Sequence, residues 1–216
     1  MAPAAAPAPR GLLFDIGRVI VRVDINRALG ALVVSAGLSP EQIWEAIQAD
    51  PRWRDWQEGR IAPRDWHQHL ARRFGFPLSF NEFCAVWNSS LAGETILGDD
   101  LFAQLAARYR LGLLYNTDPI HVAHLEANFG FVRHYPARVY SCTAGATKPD
   151  PAIYRRAISE LGLPPDQILY VDDEPKYTEA GRQAGIQAIV FTGAGPLLAE
   201  LRHRGILDDT WPTPPF

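Results

Sequence analysis

The run Leu12-Leu13-Phe14-Asp15-Ile16-Gly17-Arg18-Val19-Ile20 constrains this chain more than any other stretch. Leu12 to Phe14 do not alternate with polar residues, which is the pattern of a short strand buried on both faces. Such a strand needs a covering layer on each side of its sheet. An Asp that ends it, followed by a loop, stands at the carboxyl edge of the sheet, where open parallel α/β sheets bind ligands. A lone Asp there is more often a turn cap. Here three later segments bring polar residues to matching points.

Those segments follow an alternation of strand and helix. Gly98 to Tyr109 reads as an amphipathic helix with Leu101, Leu105 and Tyr109 on one stripe, and it leads into an apolar run from Leu111 to Tyr115. Asn116-Thr117-Asp118-Pro119 ends that strand and opens a helix. Val139 to Ser141 is a third strand. Lys148-Pro149-Asp150-Pro151 opens a helix with Ile153, Ala157, Ile158 and Leu161 on its apolar face and Gly162 beyond its end. Gln167 to Val171 runs into Asp172-Asp173; Thr178 to Ala184 is helical, Ile186 to Phe191 a fifth strand, and Pro196 to Arg204 a last helix. The alternation predicts an α/β fold with a parallel sheet covered on both sides.

Between Asn26 and Leu91 there is no strand signal. Asn26 to Ala36 is helical with Gly37 as its C-cap, and Ser39-Pro40-Glu41-Gln42 is a helix start with N-cap and N1 proline. Ala62 to Phe74 is a further helix closed by Gly75, and Ser79 begins another through Phe83, Val86 and Trp87. An all-helical insert of small-bundle size is expected. The expected division is a tail over 1–10, a core from 11–22 and 92–206, a helical insert over 23–91 and a C-terminal tail over 207–216.

The chain has 216 residues, 47% of them apolar, which is enough for one large domain or a core with an insert. A net charge of -3 without a basic block argues against nucleic acid or a membrane surface as partner. No apolar run reaches membrane-span length. The Ala/Pro-rich start lacks the long apolar stretch of a signal peptide, and Cys84 and Cys142 read as ordinary buried thiols, so a reducing cytoplasm is the expected location. His67 and His69, two apart on a helix, read as surface residues. Five of the six Trp fall in the insert, where burial is the first expectation for each. Only Lys148 and Lys176 of the 21 basic residues are lysines.

Asp15, the Tyr115-Asn116-Thr117 turn, Lys148 and Asp172-Asp173 therefore meet at one sheet edge. Clustered carboxylates repel unless a cation sits among them, and hard oxygen donors without His or Cys select Mg²⁺. Mg²⁺ and a Lys beside an Asp make a phosphate site. The Asp attacks phosphorus, the cations neutralise the transferring group, and groups of the turn hold the remaining oxygens.

The order of motifs resembles the haloacid dehalogenase (HAD) superfamily: hydrophobic-Asp-x-Gly-x-Val, a strand ending Asn-Thr-Asp, Lys-Pro-Asp-Pro-x-Ile-Tyr, then Tyr-Val-Asp-Asp. It is most similar to the phosphatase-like members with a helical cap inserted after the first motif, including sugar-phosphate phosphatases whose first motif reads Asp-Leu-Gly-Asn-Val. The resemblance spans about Gly11 to Arg204 and implies a Rossmann-like core, a cap that closes over the site, and Mg²⁺-dependent phosphatase activity on a small phosphorylated metabolite, by a monomer or homodimer. It makes Asp15 the nucleophile. It makes Lys148 the bridge from nucleophile to phosphate. Asp15, the Gly17 carbonyl and the pair Asp172-Asp173 become the metal set, with Asp173 as direct ligand and Asp172 acting behind it. In the cap, the stretch of Trp53, Trp56, Glu58 and Arg60 about Gly59 is loop-like and placed to select substrate.

Three positions depart from that pattern. Gly17 stands where many relatives carry a second Asp as general acid and base. Tyr115 stands where a Ser or Thr binds phosphate, leaving that task to Thr117 or the Asn116 backbone. Tyr177 stands where an Asn or Asp orients the Lys. Two other readings stay open on these grounds: a non-catalytic module that binds a ligand or partner, and carbon–halogen hydrolysis by the same nucleophile, against which the acidic pair argues.

Overall fold

In the computed structural model, which describes residues 7–33 and 37–208, Gly11–Phe14 forms β1. Leu12, Leu13 and Phe14 are all buried. Leu12 and Phe14 pack into one apolar layer and Leu13 into the other, because successive side chains of a strand point to opposite faces. β1 pairs in parallel with β4 (Arg110–Tyr115) on one side and β6 (Ile168–Asp172) on the other. With β5 (Ala137–Tyr140) and β7 (Gln187–Val190) the sheet order is β5-β4-β1-β6-β7, parallel throughout. The chain runs outward from β1 in both directions, so the carboxyl ends of β1 and β6 flank the point where the winding reverses. That is where a crevice forms in such a sheet.

The covering helices are α6 (Asp99–Ala106), α7 (Pro119–Asn128), α8 (Ser141–Ala144), α9 (Pro151–Leu161), α10 (Pro175–Gln183) and α11 (Ala194–His203). One layer gathers Leu101, Phe102, Leu197 and Leu201 over Phe14; the other gathers Ile153, Tyr154, Ala157 and Leu161 over Leu13. Two of the helices that lead away from the site, α7 and α9, start with a proline and a cap: Asp118 accepts from the amides of Ile120 and His121, and Asp150 accepts from Ala152.

Between β1 and α6 the chain makes a two-stranded antiparallel ribbon, β2 (Val21–Val23) with β3 (Leu91–Thr95), and five helices inside that ribbon. They are α1 (Ile25–Val33), α2 (Pro40–Gln48), α3 (Trp53–Gln57), α4 (Pro63–Phe74) and α5 (Phe80–Asn88). Ser39 and Ser79 each complete a capping box, with Gln42 and Glu82 reaching back. The helices share a third apolar core in which Trp56 and Trp66 stack at 5.4 Å between ring centres.

Several expectations shift. The ribbon carries no sequence signal, since β2 has three residues and β3 reads Leu-Ala-Gly-Glu-Thr, poor in strand formers. The stretch expected as loop at Trp53 is the short helix α3. The helix expected from Gly98 runs only over Asp99–Ala106, with Gly98 as N-cap. Of the helix expected over 26–36, residues 34–36 lie outside the described residues, as do 1–6 and 209–216 of the two expected tails. Inside those expected tails, Arg10 bonds Gln167 and Arg110 through the backbone and Leu207 is buried, so both ends extend the core further than composition suggests. Cys84 and Cys142 are half-buried. His67 bonds the Leu78 carbonyl among three phenylalanines and His69 bonds Asp50, so neither is a free surface residue. Among the described residues no helix is long and apolar enough to cross a membrane.

The helical insert rests on the core at Gly59. Its φ is +72°, and a Cβ there would stand 2.0 Å from the Cys142 carbonyl oxygen. Gly75 has the same left-handed backbone, φ +73°, but open space around it. Gly59→Ala and Gly75→Ala therefore share a backbone cost of about 1–2 kcal/mol, and only Gly59→Ala must also displace the core backbone. Urea unfolding should show a clearly larger loss for Gly59→Ala; equal losses would mean the contact at Cys142 yields freely.

Candidate active site

Asp15 follows β1 directly and is 4% exposed. Its amide bonds the Val171 carbonyl, which continues the pairing to β6 and carries Asp15 beside Asp172. Lys148 reaches in from the loop before α9. Its Nζ donates to Asp15 Oδ1 at 2.6 Å, Asp172 Oδ2 at 2.7 Å and the Leu114 carbonyl at 3.2 Å. The Asn116 side chain fixes that loop: its Nδ2 donates to the Lys148 carbonyl at 3.0 Å and its Oδ1 accepts from the Lys148 amide at 2.7 Å. Asn116 therefore positions the lysine through one Nδ2 hydrogen and its Oδ1.

Asp172, at the end of β6, is fully buried and accepts three hydrogen bonds, from Lys148, from the Tyr170 hydroxyl and from the Glu174 amide. Asp173 is half-buried and faces the cavity, where its Oδ2 accepts from Arg18 Nε at 2.8 Å. Oxygens of Asp15, Asp172 and Asp173 all lie within 4.8 Å of one another. Gly17 lines the same cavity.

The charges respond to one another. Burial pushes the Asp15 carboxyl up to about 7 against the pull of Lys148, and Asp172 and Asp173 add to the rise. Burial likewise raises Asp173, with Arg18 opposing and Asp172 and Glu174 reinforcing. Burial works against the Lys148 ammonium, but Asp15 and Asp172 outweigh it and hold its proton more tightly than usual. Three carboxylates thus share two cations, Lys148 and Arg18, in a low-dielectric pocket. A third, divalent charge with oxygen preference fits this donor set, which has no His or Cys within it.

Tyr177, which stands where an Asn or Asp is expected beside the lysine, meets Lys148 through its ring. Its ring lies 4.9 Å from Lys148 Nζ, a cation–π contact, and Tyr154 donates a hydrogen bond to its carbonyl. Thr117 is 3% exposed, lines the cavity, and its hydroxyl has no hydrogen-bond partner among the described residues. Its amide is held by Ser141 Oγ at 2.8 Å.

The cavity holds about 270 Å³ between sheet edge and helical insert. Trp44, Gln48, Trp53 and Gln57 form its upper wall; Glu58 and Arg60, expected near the substrate, do not line it. Glu58 instead accepts from Arg54 at 2.8 Å, pairs with Arg60 and accepts from Thr147 of the core at 3.0 Å, while Ser141 Oγ donates to the Gln57 carbonyl at 2.7 Å. On the far wall Asp118 accepts from Trp87 Nε1 and pairs with His121 Nδ1, both at 2.9 Å. This bond of insert to core went unseen in the sequence. The Asp118-Pro119 helix start was visible, but its Trp partner lies 31 residues away. Arg18 too was unmarked, although it follows the Asp-x-Gly segment directly.

A family model described as haloacid dehalogenase-like hydrolase matches residues 96–185. The chain is 33% identical over 206 residues to flavin mononucleotide hydrolase 1 of Arabidopsis thaliana, across 90% of this chain and 77% of that one. The chain belongs to the haloacid dehalogenase-like hydrolases. It is also 22% identical over 184 residues to a D-ribitol-5-phosphate phosphatase of Bacteroides thetaiotaomicron, across 82% of this chain and 89% of that one. Among solved structures, a HAD family enzyme from the same bacterium, in complex with magnesium and inorganic phosphate, superposes with TM-score 0.77 at 23% identity, covering 87% of this chain and 96% of that one. The L-2-haloacid dehalogenase of Xanthobacter autotrophicus superposes at TM-score 0.59 and 19% identity, over 92% of this chain and 84% of that one. These two likenesses establish the fold of this HAD-like hydrolase.

The Asp118–His121 pair yields a pH test. Burial opposes both charges, yet mutual attraction and hydrogen bonds leave Asp118 below and His121 above their ordinary values. A raised His contributes stability that is complete below its unfolded value near 6.5 and is lost as pH rises through its folded value. The lowered Asp contributes above its unfolded value and loses this only in acid. The stability gap between wild type and His121→Gln, followed by urea unfolding, should shrink from pH 6 to pH 9. A gap constant over that range would mean that His121 titrates at the same value in the folded and unfolded protein.

Proposed function

We propose that this hydrolase is a divalent-cation-dependent phosphatase that cleaves a small phosphate monoester through a phosphoryl group carried on Asp15. The observation that carries the reading is the Lys148 ammonium between Asp15 and Asp172, beside the cavity-facing Asp173 carboxylate and an unpartnered Thr117 hydroxyl in one cavity. Asp15 attacks phosphorus. Lys148 neutralises charge on the nucleophile and the transferring group, and the Thr117 hydroxyl donates to a phosphate oxygen. Water then attacks the acyl phosphate, releasing inorganic phosphate and restoring the carboxylate.

Asp15, Asp173 and the Gly17 carbonyl would hold the Mg²⁺, with Asp172, spent on Lys148, Tyr170 and Glu174, acting behind them. When bound, the ion offsets the excess carboxylate charge and neutralises phosphoryl oxygens. In this reading residues 23–91 form a cap, with Trp44 and Trp53 over the reacting centre. The cavity is small, at the lower end of ligand pockets, and suits one phosphorylated small molecule. The substrates named for the two relatives, D-ribitol 5-phosphate and flavin mononucleotide, both present a phosphate on the end of a ribitol chain. A terminal phosphate on a polyol chain is accordingly our substrate class.

Release of inorganic phosphate from p-nitrophenyl phosphate, D-ribitol 5-phosphate and flavin mononucleotide tests this, with Mg²⁺ and with chelator. Wild type with Mg²⁺ should turn over, chelator should abolish turnover, and Asp15→Asn should lose about 10³-fold or more. Turnover that survives both Asp15→Asn and chelator would overturn the reading.

A further inference from the structure

An alkyl phosphate leaves as an alkoxide, a poor leaving group unless a donor meets its oxygen. Gly17, two residues beyond the nucleophile, has no side chain to supply one. The space above it is filled. A Cβ on Gly17 would lie 3.1 Å from the Tyr115 hydroxyl oxygen and 3.2 Å from the ring carbon beside it. Even a methyl at 17 would crowd this phenol, which would have to shift by a few tenths of an ångström. Tyr115 ends β4, its ring packs partly against the core below, and its hydroxyl has no hydrogen-bond partner among the described residues although it lines the cavity with Asp15 and Lys148.

We propose that Tyr115 is a catalytic residue of this site, whose hydroxyl donates a hydrogen bond to the leaving-group oxygen from the space a side chain at position 17 would otherwise occupy. The proposal rests on the phosphatase reading above. Around Asp15, Asn116 bonds Lys148, Asp173 pairs with Arg18, and the face of the Tyr177 ring meets Lys148, while the Gln48 and Gln57 amides stand on the opposite wall, in the insert. The Thr117 hydroxyl remains for the phosphate. As the Asp15 oxygen bonds phosphorus, the bond from phosphorus to the ester oxygen breaks and its electron pair stays on that oxygen. The departing oxygen accepts the Tyr115 O–H and takes its proton from water. Burial and the neighbouring Asp15 keep the phenol protonated, so it stays a donor.

The test compares wild type and Tyr115→Phe, both Mg²⁺-loaded, on p-nitrophenyl phosphate and on an alkyl ester such as glycerol phosphate. Phe keeps the ring that fills the space at Gly17, and thermal unfolding checks that it folds. An aryl oxide departs unaided. Tyr115→Phe should therefore stay within about threefold of wild type on the aryl ester and fall on the order of 10²-fold on the alkyl ester, in kcat rather than KM. Equal losses on both esters would make Tyr115 a phosphate ligand, and no loss on either would make it filler; each overturns the proposal. A wild-type protein inert toward every ester would instead overturn the phosphatase reading itself, and this proposal with it.

Discussion

The ammonium of Lys148 holds the site together. It lies among three acceptors at 2.6, 2.7 and 3.2 Å, and a protonated amine has three donors to give. Buried ion pairs are weak sources of stability, because desolvation offsets much of the attraction, but removal of one partner leaves the others stranded at a cost of about 3–5 kcal/mol. Their use is in placement. Asp15 and Asp172 end neighbouring strands, and without a charge between them two buried carboxylates at one sheet edge would repel. A guanidinium, a flat fork suited to bidentate pairing, could not give three convergent hydrogen bonds from one atom. That accounts for a lysine at this position in a chain that otherwise uses arginine at nearly every basic site.

The position of that ammonium depends in turn on burial far from any charge. β1 is covered on both faces, so Leu12, Leu13 and Phe14 contribute about 1.5–3 kcal/mol each and cannot slip by a residue without exchanging layers. Pairing to β4 and β6 then sets Asp15 level with Asp172. Beyond Asp15 the backbone turns sharply. Arg18 has φ +60°, the one positive value among described non-glycine residues, a strain of about 1–2 kcal/mol. Strain of this kind persists where surrounding structure enforces it, often at functional sites. Here the turn lays the Arg18 guanidinium on Asp173 and Glu174, the outer half of the acid cluster.

Much of this was legible in residue order. The two-sided burial of β1, the carboxyl-edge position of Asp15, the caps before α2, α5, α7 and α9, and the meeting of Asp15, Lys148, Asp172 and Asp173 all follow from local patterns with a period or a cap. What stayed hidden are pairings between residues distant in sequence that carry no pattern. The β2–β3 ribbon joins three residues to a segment about seventy positions later. The seat of Glu58 on Thr147 links residues 89 positions apart, and the contact of Trp87 with Asp118 spans the junction of insert and core. Tyr115 and Tyr177 were visible as departures from a pattern. Only coordinates reveal that one ring faces an ammonium and the other fills the space over a glycine.

Those two tyrosines change how the site should be weighed. A bulky replacement in a small polar pocket is expected to block it, because side-chain volume is added where a ligand oxygen should sit. In this fold the added volume goes elsewhere. The Tyr177 ring stands over Lys148 and leaves the ammonium its three acceptors. The Tyr115 ring leans over Gly17, which lacks the atoms that would oppose it. Gly17 and Tyr115 are therefore one feature divided between the loop after β1 and the end of β4: the small residue makes room for the large one. The cavity that remains still opens onto Asp15, Asp173 and Thr117, the three groups that attacking phosphorus, holding a cation and binding a phosphate oxygen would require.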